Sequence, residues 1–155
     1  MDNNIIETNF EENKGNKNKT FNFKYLVEKD NSEIWIFGKE FVNNNKDKCY
    51  LVINNIDSEL SCKYTFPKKG EQTVSLVITD ENINFKGMFC FGYGKRLNKL
   101  VDISSLENLD VSECKDLSFM FCGCENVKNF NCLKNWNVSK CVNFGSIFEC
   151  CSFSV

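Results

Sequence analysis

Apolar positions along this chain follow two different rhythms. Residues 21–28, 33–42, 49–54, 59–66 and 73–79 are short runs rich in aromatic and β-branched side chains. Within them apolar and polar or paired apolar positions alternate, as in Ile34 and Ile36 against Trp35 and Phe37. That period of two predicts strands. Turn formers separate the runs at residues 29–32, 43–47, 54–55 and 67–70, so the strands are expected to form a small antiparallel β module.

The second rhythm begins near Phe85. Displacing the chain by 27 positions superposes Leu106 on Leu133, Leu109 on Trp136, Val111 on Val138, Leu117 on Phe144, Met120 on Ile147 and Phe121 on Phe148. Ser112 then meets Ser139, Cys114 meets Cys141, and Cys124 meets Cys151. An earlier copy starts at Phe85-Lys86-Gly87-Met88-Phe89-Cys90, displaced by 32 positions from Leu117 to Cys122, with an insertion in the following loop. A period of this size predicts stacked units, because one short unit cannot bury its own apolar face. Residues 97–103 and 127–133 are expected as strands of a parallel sheet, and residues 73–79 as the strand of the first unit. Ser112 and Ser139 are placed to cap short helices, with Asp116 in the first turn and Gly123 near the end. Leu117, Met120, Phe121 and Cys124 would supply the buried i, i+3, i+4, i+7 stripe, repeated by Phe144, Ile147, Phe148 and Cys151.

At Leu109-Asp110-Val111-Ser112 with Met120-Phe121-Cys122-Gly123-Cys124, and at Trp136-Asn137-Val138-Ser139 with Ile147-Phe148-Glu149-Cys150-Cys151, the chain resembles the BspA-type leucine-rich repeat, also called the DUF285 repeat. The resemblance runs from about Phe85 to the C-terminus, and residues 36–46 are similar to a module that leads such repeats in protist proteins. It departs from the pattern at Cys114 and Cys141, where the family usually has Asn or a Val-like residue, and residues 142–147 lack the usual Met. The resemblance implies an array without catalytic positions; bacterial members are often surface proteins implicated in adhesion and in binding host molecules. Fold analogy carries function no further.

Composition narrows the choices. The net charge is −2 and Arg96 is the single arginine, so no basic stripe exists for nucleic acid. Histidine is absent, which removes Ser-His and Cys-His nucleophile pairs and histidine-bearing zinc sites. Acid pairs such as Asp102 with Glu107 read as solvating loop residues. Gly92-Tyr93-Gly94-Lys95-Arg96 lacks the context of a phosphate loop and reads as the inserted loop. Eight of the ten cysteines lie at or after Cys90 and track the repeat period without Cys-x-x-Cys knuckles, so they are read as small apolar core residues and no metal or other cofactor is expected. Stacked Cys114 with Cys141, and Cys124 with Cys151, would lie within disulfide reach at a strand spacing of about 4.8 Å. The N-terminus carries no cationic and apolar signal pattern and no run long enough to span a bilayer, so a cytoplasmic location with reduced thiols is expected, surface exposure being the alternative for a fragment or an exported chain.

The expected fold class is α+β: a small antiparallel β cap followed by a short leucine-rich-repeat-like β/α solenoid. Residues 1–20 are expected as a disordered tail, 21–72 as the β-rich capping module, and 73–155 as two repeat units plus part of a third. Leu106, Leu109, Val111, Leu117, Met120, Phe121, Leu133, Val138, Phe144, Ile147 and Phe148 form the expected stacking core. Phe91, Tyr93, Trp136 and Phe153 fall outside the stripe and form the candidate interaction surface. The expected function is non-catalytic protein binding or scaffolding to an unidentified protein partner, with self-association through an open C-terminal edge; a surface adhesin and a Cys-rich metal or redox module are the alternatives. The sequence ends where the next strand is due, which raises the expectation of truncation.

Overall fold

The computed structural model describes residues 18–92 and 97–152. Among them, seven strands and one α-helix follow in the order β1 (Lys19–Val27), β2 (Ser32–Trp35), α1 (Lys39–Asn45), β3 (Cys49–Ile53), β4 (Ile56–Glu59), β5 (Lys63–Phe66), β6 (Gly70–Ile78) and β7 (Leu100–Asp102). The period-two pattern does what its physics requires in β1: Phe21, Phe23, Tyr25 and Val27 are buried, while Thr20, Asn22 and Leu26 face water. β1 lies antiparallel to β6 along its whole length, from Lys19 opposite Ile78 to Val27 opposite Gly70. The sheet order is β4-β3-β6-β1-β7, and β2 with β5 makes a second, two-stranded antiparallel sheet. Asn54 and Asn55 close the β3–β4 hairpin at φ of 54° and 63°, a left-handed pair that asparagine tolerates and tight hairpins need.

The expected α+β solenoid is not what the chain builds. The molecule is β-rich, made mostly of antiparallel sheet with a single α-helix among the described residues and no solenoid. Residues 73–79, expected to open the first stacked unit, lie largely in β6 at the centre of the five-stranded antiparallel sheet. Of residues 97–103 only Leu100–Asp102 is a strand, and it pairs antiparallel with β1. Residues 127–133 carry a 3-10 turn at Asn131–Leu133 and no strand. The expected single run 33–42 divides into β2 and the start of α1.

The expected helices after Ser112 and Ser139 are also absent, for a local reason. Phe119 and Gly123 sit at φ of 58° and 78°, and Ser146 and Cys150 at 53° and 58°. Such residues cannot continue a right-handed helix. Their segments are tight turns whose amides bond outward: Leu117, Phe119, Phe121 and Gly123 donate to the carbonyls of Asn143, Gly145, Ile147 and Glu149 at 2.7–3.0 Å. On the inner side, Gly87 and Phe89 donate in the same sense to Ser118 and Met120. Three turn segments, near residues 84–90, 116–124 and 143–151, thus lie side by side at the end of the sheet.

Aromatic rings join these turns to the sheet. Phe37 stacks on Phe89 at 5.7 Å, Phe89 on Phe121 at 6.0 Å, and Phe121 on Phe148 at 5.6 Å. Phe23 of β1 meets Phe37 and Phe89 edge-on. Gly38 lets the first turn segment approach α1: a Cβ there would lie 2.0 Å from the Gly87 oxygen, and its amide donates to Met88 at 2.8 Å. Phe121 is wholly buried within this column. Phe121→Ala is expected to cost about 3–5 kcal/mol in chemical denaturation, by emptying the space between two stacked neighbours.

Candidate functional site

The turn segments owe their shape to short polar side chains that cap the backbone two residues on. Asp116 accepts from the Ser118 amide at 2.8 Å, Asn143 from Gly145 at 3.0 Å, and Asn84 from Lys86 at 3.0 Å. Asp110 and Asn137 do the same for Ser112 and Ser139, and Asp102 and Asn129 for Ser104 and Asn131. These Asx turns give the backbone an alternative to helical bonding. The sequence expectation made Ser112 and Ser139 the caps; in the structure they are the capped residues, and Asp110 and Asn137 supply the oxygens.

Each turn is held against the next by side chains as well. Asn143 donates to Asp116 at 3.1 Å, Trp136 Nε1 donates to the Leu106 carbonyl at 3.0 Å, and Lys140 pairs with Glu113. Bonds from the Ser112 amide and hydroxyl hold the Asp110 carboxyl below the usual range. At Asp116 partial burial acts to raise the value, but donation from the Ser118 hydroxyl and amide and from Asn143 outweighs it and the carboxyl is lowered.

Burial falls away along this end of the molecule. Leu106, Leu109, Val111, Leu117, Met120 and Phe121 are buried, Leu133, Ile147 and Phe148 half-buried, and Val138 and Phe144 exposed. Val142 is 86% and Phe144 42% exposed. Asp116 and Asn143 form a parallel bridge, in which the Lys115 carbonyl accepts from Val142 and Asn143 and the Leu117 amide donates to Asn143. One unit outward, the corresponding groups are the Val142 carbonyl and the Phe144 amide. Neither has a backbone partner among the described residues. Among the described residues this turn therefore carries one acceptor and one donor without a backbone partner, and the side chains of Val142, Phe144 and Val138 are exposed.

The four aromatics expected on an exposed surface do not assemble there. Phe91 is buried and stacks at 6.3 Å on Trp35. Trp136 is half-buried beside Phe121 at 6.2 Å, held by its indole bond. Tyr93 and Phe153 lie outside the described residues. Phe91 instead helps line a cavity of about 390 Å³ with Trp35, Lys39, Glu40, Gly87, Cys90, Gly92 and Phe119. The amines of Lys39 and Lys63 lie 5.6 Å and 4.8 Å from the Trp35 ring centre. Sequence reading passed over Trp35 and Phe119, because nothing in the strand pattern of residues 33–42 or the expected helix marks two rings that only the fold brings together. A larger cleft of about 760 Å³ lies between the end of β6 and the turn at Leu109 to Cys114, with Asp80, Glu81, Asp110 and Glu113 at its walls.

The cysteines pair across neighbouring turns as free thiols. Cys90 lies beside Cys122, Cys114 beside Cys141, and Cys124 beside Cys151. Burial pushes Cys122 up to about 12 and Cys114 up to about 11. Among the described residues, no group of three or more cysteines and acids is placed to hold a metal ion. No helix of the described residues is long and apolar enough to cross a membrane.

No protein-family model, curated protein or solved structure matches this chain.

The two lowered carboxyls make acid sensitivity a test of the turns. Carboxyls lower in the folded than in the unfolded chain contribute stability that is present in full above the ordinary carboxylate value, about pH 4. That contribution is lost as the pH falls through the lowered folded values. Asp110→Asn with Asp116→Asn keeps the Asx turns and removes the titration. Thermal melting of this double variant is expected to fall less steeply below about pH 4 than that of the parent chain.

Proposed function

We propose that this chain is a non-catalytic protein-binding module that docks through its outermost turn segment, with a second copy of the same chain as the occupant. The observation that carries this reading is the third turn segment, where the exposed Val142 and Phe144 bear a carbonyl and an amide that have no backbone partner among the described residues, with Val138 exposed as well. Val142 offers its carbonyl and Phe144 its amide on either side of Asn143. Such a pair is self-complementary: in a two-fold antiparallel arrangement each Phe144 amide meets the other copy's Val142 carbonyl. Val142 and Phe144 of both copies would then cover one another. Other exposed apolar residues, such as Leu26 and Ile56, stand singly on the sheet and need no partner. The resemblance of residues 109–112 and 120–124 to the BspA-type repeat supports a binding role and adds no chemistry.

Sedimentation velocity under reducing conditions tests the proposal. The parent chain is expected to pass from monomer to dimer as its concentration rises. Val142→Asp with Phe144→Asp should weaken that association at least tenfold, equivalent to about 1.4 kcal/mol, because two carboxylates would face their own copies. A parent chain that remains monomeric at millimolar concentration overturns the second copy as occupant.

A further inference from the structure

We propose that Cys151 and Cys124 form a redox-active dithiol, which a low-molecular-weight disulfide of the glutathione class converts to an intrachain disulfide joining the second and third turn segments. Two backbone bonds immediately before the pair fix its geometry. Phe121 donates to Ile147 at 3.0 Å and Gly123 to Glu149 at 2.7 Å. The backbones therefore run at about a strand spacing, ~4.8 Å, within the ~4.4–6.8 Å between α-carbons that a disulfide accepts. Cys124 and Cys151 hold matching places in their turns: each donates its amide to the phenylalanine three residues before it, Phe121 and Phe148. Both side chains thus leave equivalent backbones in the same direction, which sets the two thiols beside each other.

The two sulfurs have unlike surroundings, which assigns their roles. Cys151 is half-buried in the outermost turn, whereas Cys124 is wholly buried and receives the amide of the buried Asn98 at 3.4 Å. As a thiol, Cys151 donates to the Phe121 carbonyl at 3.0 Å. Hydrogen bonding from the Cys124 thiol lowers the Cys151 thiol below its ordinary value, against the opposing effect of burial, while burial raises Cys124 well above it. Cys151 is thus the accessible attacking group and Cys124 the resolving one. The Cys151 thiolate attacks one sulfur of the oxidised disulfide and expels one thiolate, leaving a mixed disulfide. Cys124 then attacks the Cys151 sulfur, expelling the second thiolate, which takes up the Cys124 proton as it leaves. Two protein thiols are oxidised and one small disulfide is reduced to two thiols.

In the neighbouring pairs, burial raises Cys122, which lies beside Cys90, and Cys114, which lies beside Cys141. Cys150 is exposed and lies near Cys122.

The test uses the full folded chain incubated with oxidised glutathione, with thiol counting and tandem mass spectrometry of the linked peptides. The expected product has a Cys124–Cys151 bond, two fewer free thiols in that pair, and full recovery of both on treatment with dithiothreitol. Cys124→Ser is expected to stop the reaction at glutathione attached to Cys151. Cys151→Ser is expected to leave Cys124 unmodified. The proposal is overturned if Cys124 and Cys151 stay free, if a different pair closes first, or if glutathione remains on Cys151 of the parent chain without closure. The mapping on the parent chain stands without either variant, so a variant that fails to fold does not remove the test.

Discussion

The stacking of rings from the sheet into the turns is the interaction on which this structure depends. Phe37 begins it beside α1, Phe89 and Phe121 continue it, and Phe148 carries it onto the third turn segment. Irregular segments such as these have few regular backbone bonds of their own, and ordering each residue's backbone costs about 1–2 kcal/mol. The rings supply large apolar area with few rotatable bonds, so their burial offsets that cost at little further loss of freedom. Phe23 ties the column to β1, the strand that pairs with both β6 and β7. Sheet and turns consequently share one core.

Backbone polarity sets the second constraint. Buried amides and carbonyls need partners, and the turns find them in two ways. Asx side chains satisfy the amide two residues on at each corner, and amides in the turn segment meet carbonyls of the adjacent one. The amides bond outward in one sense through the successive segments. Among the described residues the third segment's corresponding groups, the Val142 carbonyl and the Phe144 amide, have no backbone partner, and both side chains are exposed. Pairing of the inner segments and exposure of these described groups are therefore the same feature of the backbone. The dithiol follows from it too, because the bonds that align the segments also align Cys124 with Cys151.

Electrostatics acts locally here. The ion pairs Lys24–Glu71, Lys63–Glu33, Lys99–Glu28 and Lys140–Glu113 lie at the surface and contribute modestly. Asp110 and Asp116 matter more through where their oxygens point than through their charge, since asparagine fills the equivalent corner at Asn137 and Asn143. Lys39 and Lys63 over Trp35 set cations against an aromatic wall, beside the cavity that Phe91 and Phe119 line.

By itself the sequence determined strands in the first half of the chain, such as β1, β3 and β6, and the spacing of the turns, but the strand expected over residues 127–133 does not form. Alternation at Phe21, Phe23, Tyr25 and Val27 has a single low-energy solution, one face buried and one in water, and paired Asn54-Asn55 leaves little but a hairpin. The 27-residue spacing likewise placed Asp110 and Asp116 opposite Asn137 and Asn143. It did not determine the conformation between those corners. Leu117, Met120, Phe121 and Cys124 fit a helical stripe as well as they fit a tight turn with its apolar side chains inward, because both put the same residues on one side. Only the tertiary structure decided between them: amides that a helix would keep for itself bond to the neighbouring segment, and β6 completes the antiparallel sheet with β1 instead of opening a parallel one. The same long-range pairing drew Phe91 onto Trp35 and left Val142 in water, outcomes that depend on which segments lie side by side and that no local pattern encodes.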